Sequence, residues 1–213
     1  SPRRVMAKVS RGFDGIRGRG QSLDRREPAS VARFDIRRET ETHQSHTVVG
    51  ARLPGLGDSR RDTVALVTNI LGGPGMNSRL NISLRERRGL VYTVEASTTM
   101  FSDCGLFNIY FGCDPDDRDR CLELVFRELR MMADSPLTPA RLAAAKKQYL
   151  GQMIVASENL EQGILSTGRA LLMTGRVRTP RMMADAVAAI TTDDIAEVAA
   201  MLRPENCSVL SLG

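Results

Sequence analysis

The chain has 213 residues, a formal net charge of +5 and a pI near 9.4, with 42% hydrophobic residues, 4% aromatics and no Trp. That length can bury a sizeable core, and no apolar run reaches the roughly 18 residues needed to cross a bilayer, so the expectation is a globular chain without a membrane anchor. The excess arginines are scattered between Arg3 and Arg38 without a recognition helix or stacking aromatics, which argues against nucleic acid as a partner.

Residues 1–10 are basic but carry no apolar segment or small-residue cleavage site of a secretory signal, and a cytoplasmic location is weakly favoured over a periplasmic or organellar one. Residues 10–30 are rich in Gly, Arg, Ser and Asp with no helical or strand period, and read as a linker. The run over 43–53 is β-branched and aliphatic and predicts a strand. Val64, Val67, Ile70 and Leu71 then recur at helical spacing, Asp58 or Ser59 can cap that helix, and Gly72-Gly73-Pro74-Gly75 stops it. A short helix fits 78–88, ending at Gly89, and 91–100 with 105–111 predicts an antiparallel hairpin.

Asp114-Pro115 reads as an N-cap followed by Pro in the first turn, with Leu122, Val125, Phe126, Leu129 and Met132 on the buried face of the helix that follows. Thr138-Pro139 and Thr179-Pro180 repeat that start signal, and the first of these helices should turn Leu142, Tyr149, Met153 and Ile154 toward a core. Residues 191–194 resemble a capping box, and 206–212 predict a closing strand. This order suits an α+β fold, a largely antiparallel sheet with helices packed on one face. The Pro, alternating-apolar, Gly layout of 204–213 is echoed over 2–12, so residues 1–33 are expected to be the tail strand of a preceding unit plus a linker, and 34–213 one domain.

Cys104, Cys113, Cys121 and Cys207 include no C-x-x-C pair, so buried thiols are expected rather than a zinc ribbon or a disulfide scaffold. His43 and His46 are the only histidines, and alternation along a strand would send them to opposite faces. No phosphate loop is present, because no G-K-[ST] follows the glycines. Met131-Met132 and Met182-Met183 lie in helical patterns and read as core and boundary residues.

The stretch 71–114, LGGPGMNSRLNISLRERRGLVYTVEASTTMFSDCGLFNIYFGCD, resembles the second half of the insulinase, pitrilysin and mitochondrial-processing-peptidase family of inverted-zincin metallopeptidases. The L-T-P start at 137–139 and the closing R-P-E-N extend the resemblance over 34–213. It implies one of two similar halves that close around a peptide substrate. The other half, in the same polypeptide or a separate subunit, would hold zinc through an inverted H-x-x-E-H motif, and this chain, which lacks that motif, would hold no metal and be inactive alone. The resemblance assigns Arg85 and Tyr92, seven positions apart, to substrate and transition-state binding, as donors to a peptide carbonyl and its developing oxyanion. It also matches Gly72, Gly73 and Gly75 to a glycine-rich loop that helps admit substrate.

Simpler readings stand beside these. Arg85 belongs to R-E-R-R and can be merely solvated, Arg87 and Arg88 compete for its role, Tyr92 can anchor a strand end, and the glycines need no function beyond stopping a helix. The main alternative for the whole chain is a non-catalytic structural or processing subunit of the same fold. A module that binds acidic chains is a third reading, with little support from such scattered charge.

Overall fold

The computed structural model describes residues 1–16, 28–29 and 32–213. Strands β1 (Asp35–Arg38), β5 (Cys207–Leu212), β2 (Ser45–Leu53), β4 (Gly105–Cys113) and β3 (Val91–Met100) lie side by side in that order. All neighbours are antiparallel except β1 and β5. The sheet face carrying Val49, Phe107 and Phe111 is buried under helices α2 (Arg61–Gly72), α3 (Arg118–Asp134) and α7 (Thr192–Met201). Val67, Val125 and Val198 reach that core from the three helices, and full burial of such a side chain stabilises by about 1.5–3 kcal/mol. The opposite face, with His46, Val48, Asn108 and Tyr110, remains partly exposed. The class is therefore α+β, as the order of elements implies.

Local chemistry accounts for most boundaries. Thr138 accepts from the Arg141 N–H at 3.4 Å to open α4 (Pro139–Ser157), and Thr179 accepts from the Met182 N–H at 3.2 Å to open α6 (Pro180–Ala189). Thr191 and Asp194 form a reciprocal capping box at the start of α7, with bonds of 2.7 and 3.1 Å. Asp58 does not cap α2; its carboxylate is held by Arg60 through the backbone N–H at 2.8 Å and the guanidinium at 2.8 and 2.7 Å.

Several expectations change. Residues 2–13 form a helix, α1 (Pro2–Phe13), not a strand, because Val5, Val9 and Phe13 recur every four residues with Pro2 in the first turn. None of its residues is buried. The linker expected over 10–30 lies largely outside the described residues, and its first residues belong to α1. β2 begins at Ser45, so His43 precedes it and is exposed rather than lying on the strand. Ile154 is 66% exposed, since α4 buries only Leu142 and its second half leaves the core to meet α5 (Leu160–Thr174). None of the four cysteines forms a disulfide; Cys113, Cys121 and Cys207 are buried and Cys104 half-buried.

Candidate functional site

Arg85 sits on a π-helical turn, Asn81–Glu86, where a short α-helix was expected. The wider turn is visible in the bond from the Arg87 N–H to the Ile82 carbonyl, five residues back, at 3.1 Å. Asn81, Ser83 and Leu84 face inward, which leaves Arg85 exposed. Among the described residues its guanidinium has no hydrogen-bond or ion-pair partner. Arg88, one of the two rivals, is instead fixed to the turn, donating to the Ser83 carbonyl at 2.6 Å. The chain leaves the turn through Gly89, whose φ of +62° favours glycine, and buried Leu90 closes back on the Leu84 carbonyl at 3.0 Å.

Tyr92 occupies a second irregularity. Pairing along β3 and β4 passes from Val91 with Cys113 to Thr93 with Gly112, leaving Tyr92 as the extra residue of a β-bulge. Bulges of this kind re-aim a side chain, and the ring is 56% exposed. Its hydroxyl donates to Asp114 Oδ1 at 2.7 Å. That hydrogen bond, reinforced by the carboxylate's charge, raises the Tyr92 pKa and holds the phenol protonated. Asp114 meets the helix-cap expectation in position only. It is the N-cap residue of a short 3-10 turn (Pro115–Asp117) that runs into α3, its carbonyl accepting from the Asp117 N–H at 3.0 Å, while its side chain makes no capping bond and accepts from Tyr92 instead. No sequence signal reveals this, because Asp-Pro is equally consistent with a cap.

The glycine loop lies elsewhere on the same strand. A Cβ on Gly72 would sit 2.5 Å from the Ala96 backbone nitrogen, so α2 ends in direct contact with β3. That contact is four residues, about 13 Å, along the strand from Tyr92 at roughly 3.3 Å per residue. A Cβ on Gly73 would press on Asn69, and one on Gly75 on Asn77 and Gln148. Paired amides join this loop to α4, Asn77 to Gln148 at 2.6 and 3.0 Å and Asn69 to Gln152 at 2.7 Å, beside a cleft of about 260 Å³. The π-turn that carries Arg85 thus packs against β3, the strand that carries Tyr92, and the glycines meet that strand farther along.

Zinc does not fit the described residues. Among the described residues no three His, Cys, Asp or Glu side chains are placed to hold a metal. His46 Nδ1 is hydrogen-bonded to the Tyr110 hydroxyl at 2.8 Å, with the two rings stacked 6.1 Å apart. The buried thiol of Cys207 is pushed up to about 11, chiefly by desolvation, which disfavours the thiolate a metal requires.

A family profile described as the peptidase M16 inactive domain matches residues 1–149. The chain belongs to the peptidase M16 family. An uncharacterized zinc protease of Streptomyces coelicolor is 35% identical over 161 residues, 75% of this chain and 34% of the relative. A probable mitochondrial-processing peptidase subunit alpha-2 of Arabidopsis thaliana is 24% identical over 190 residues, 84% of this chain and 38% of the relative. The crystal structure of a peptidase M16 inactive domain from Pseudomonas fluorescens shares the fold at a TM-score of 0.86 and 19% identity, over 99% of this chain and 50% of that one. This M16 chain therefore spans half or less of the length of these relatives. Among the described residues no helix is long and apolar enough to cross a membrane.

Proposed function

We propose that this M16 chain is the substrate-binding half of a zinc-dependent metalloendopeptidase, acting with a second, zinc-bearing half in the same polypeptide or in a separate subunit. The substrate is an extended peptide enclosed between the halves. Arg85 and Tyr92 contact its backbone, and neither acts as nucleophile or base. The observation that carries this reading is the exposed Arg85 guanidinium, without a partner among the described residues, on a π-turn that packs against the strand of the bulged Tyr92. Each irregularity leaves the side chain in question exposed. A guanidinium placed this way can hold a peptide carbonyl and the negative charge that gathers on it during hydrolysis. The Gly72–Gly75 segment, tied to α4 by amides, guides the substrate toward this end.

The test is peptide hydrolysis by the full-length protein with its zinc-bearing half present. Arg85→Ala and Tyr92→Phe are each expected to lower kcat/KM by about tenfold or more, a loss of about 1.4 kcal/mol in transition-state binding. Unchanged cleavage in both folded variants would remove the two residues from the site. No cleavage of any peptide by any version would favour the non-catalytic subunit.

A further inference from the structure

Away from Arg85 and Tyr92, the cleft of about 260 Å³ between the end of α2 and α4 gathers a second set of polar groups. Arg79, Arg141, Asn77 and Gln148 line it, Ile70 and Ala145 give it an apolar wall, and no Asp or Glu among the described residues lines it. The two arginines differ. Arg79 Nε donates to the carboxylate of buried Glu128 at 3.0 Å, which neutralises it. Arg141 is exposed, and its guanidinium has no partner among the described residues.

The amides face each other as a reciprocal pair. Asn77 Nδ2 donates to Gln148 Oε1 at 2.6 Å, and Gln148 Nε2 donates to Asn77 Oδ1 at 3.0 Å. Both carbonyl oxygens are thereby engaged, while each NH2 keeps a second N–H to give. Gly75 makes room for this pair, since a Cβ there would lie 2.5 Å from Asn77 Oδ1 and 2.7 Å from Gln148 Nε2. Ser78, another lining residue, is only 4% exposed, and its hydroxyl has no partner among the described residues. Buried polar groups are normally hydrogen-bonded, so a lone hydroxyl beside a cleft marks a place short of a partner. The groups left over are mainly donors and carry one uncompensated positive charge, the complement of an anion. A guanidinium matches a carboxylate best, holding it through two parallel N–H bonds. The volume lies below the roughly 300–1,000 Å³ of pockets for drug-sized ligands, which limits the occupant to a small group.

We propose that this cleft binds a carboxylate on a short aliphatic stem, held by the Arg141 guanidinium and by the spare amide N–H groups of Asn77 and Gln148, with the stem against Ile70 and Ala145. The site goes beyond the reading of Arg85 and Tyr92 and does not depend on it. A small free dicarboxylic acid and the C-terminus of a peptide present the same group, and the test separates them.

The full-length protein is titrated calorimetrically with glutarate, with acetyl-trialanine and with acetyl-trialanine amide, at low ionic strength, where exposed charges are least screened. At least one of the two acids should bind with a Kd of about 1 mM or tighter. Tighter binding of acetyl-trialanine identifies a peptide C-terminus as the source, tighter binding of glutarate a free acid, and the amide should bind about tenfold or more weakly than acetyl-trialanine. Arg141→Ala should weaken the better acid by about tenfold or more, the worth of a hydrogen-bonded charge, and Arg141→Lys should lie between, since a lysine keeps the charge without the paired bonds. Gln148→Glu, which puts a carboxylate where a donor stood, should abolish binding. The melting temperature of Arg141→Ala should match that of the unchanged protein, so that its loss of binding is not a loss of fold. The proposal is overturned if neither acid binds, if the amide binds as well as acetyl-trialanine, or if folded Arg141→Ala binds as the unchanged protein does.

Discussion

Gly72 and Gly89 restrict the chain for different physical reasons, and alanine separates them. At Gly72 the obstacle is the β3 backbone, which cannot yield like a flexible side chain, so Gly72→Ala should cost about 1–3 kcal/mol. At Gly89 a Cβ would meet nothing within 4 Å, and only the left-handed backbone is strained, so Gly89→Ala should cost about 1–2 kcal/mol. Thermal melts of the two variants should therefore both fall, with Gly72→Ala at least as low. Asp58 sets a pH dependence of its own. Its side-chain hydrogen bonds to Arg60, with a further bond from the Arg60 backbone, hold its pKa at about 2, below its ordinary value of 3.8. A depressed carboxylate contributes stability that is complete above the unfolded pKa and is lost as pH falls through the folded one. The melting gap between the unchanged chain and Asp58→Asn should narrow as pH is lowered from 5 to 3. Sequence alone made Arg85 and Tyr92 visible through their spacing within a resemblance. It could not reveal Asp114, because the Tyr92 bond depends on where β4 ends.

The elements most legible in the sequence are those whose start is signalled locally. Thr138, Thr179 and Thr191 each accept a hydrogen bond from the first turn of their helix, and the hairpin follows from two apolar runs around a short polar turn. The elements misread or missed depend on period or on distant pairing. α1 shows a four-residue repeat that a short alternating stretch can imitate. No residue type encodes the π-turn, and the bulge exists only in the register between β3 and β4. The two sheet edges also differ in a way that bears on the proposed site. β1 is four residues long and carries Asp35, Arg37 and Arg38, the charged and short form that discourages strand addition. β3 is ten residues long with Glu95 as its only charge, so the edge that begins at Tyr92 is the less protected one.

Across the whole molecule, the core is concentrated between the sheet and α2, α3 and α7, while α5 buries none of its residues. Leu160 is 78% exposed, Ile164 73% and Leu172 89%, and beside the helix runs a groove of about 1040 Å³ lined in part by Leu165, Met173 and Met182. An apolar surface of this kind promotes association in water. Produced alone, the chain should elute from a sizing column well above its 23.4 kDa, and Ile164→Glu with Leu172→Glu should return it to a monomer without lowering its melting temperature. Unaltered elution after both substitutions would place the sticky surface elsewhere. The architecture was legible because helix and strand periods survive in a single sequence; this exposed ridge was not, because an apolar helix looks the same whether its cover belongs to the domain or to another part of the protein.

The π-turn has an evolutionary consequence as well. Its extra width amounts to a single codon, so an in-frame loss of one residue within Asn81–Glu86 would relax the turn to α-helical spacing. Arg85 would then turn by only tens of degrees relative to the start of the helix, because a π-turn spreads its extra residue over nearly the same total rotation. The arginine would keep nearly its present heading, and the loss would fall on the inward-facing residues of the turn.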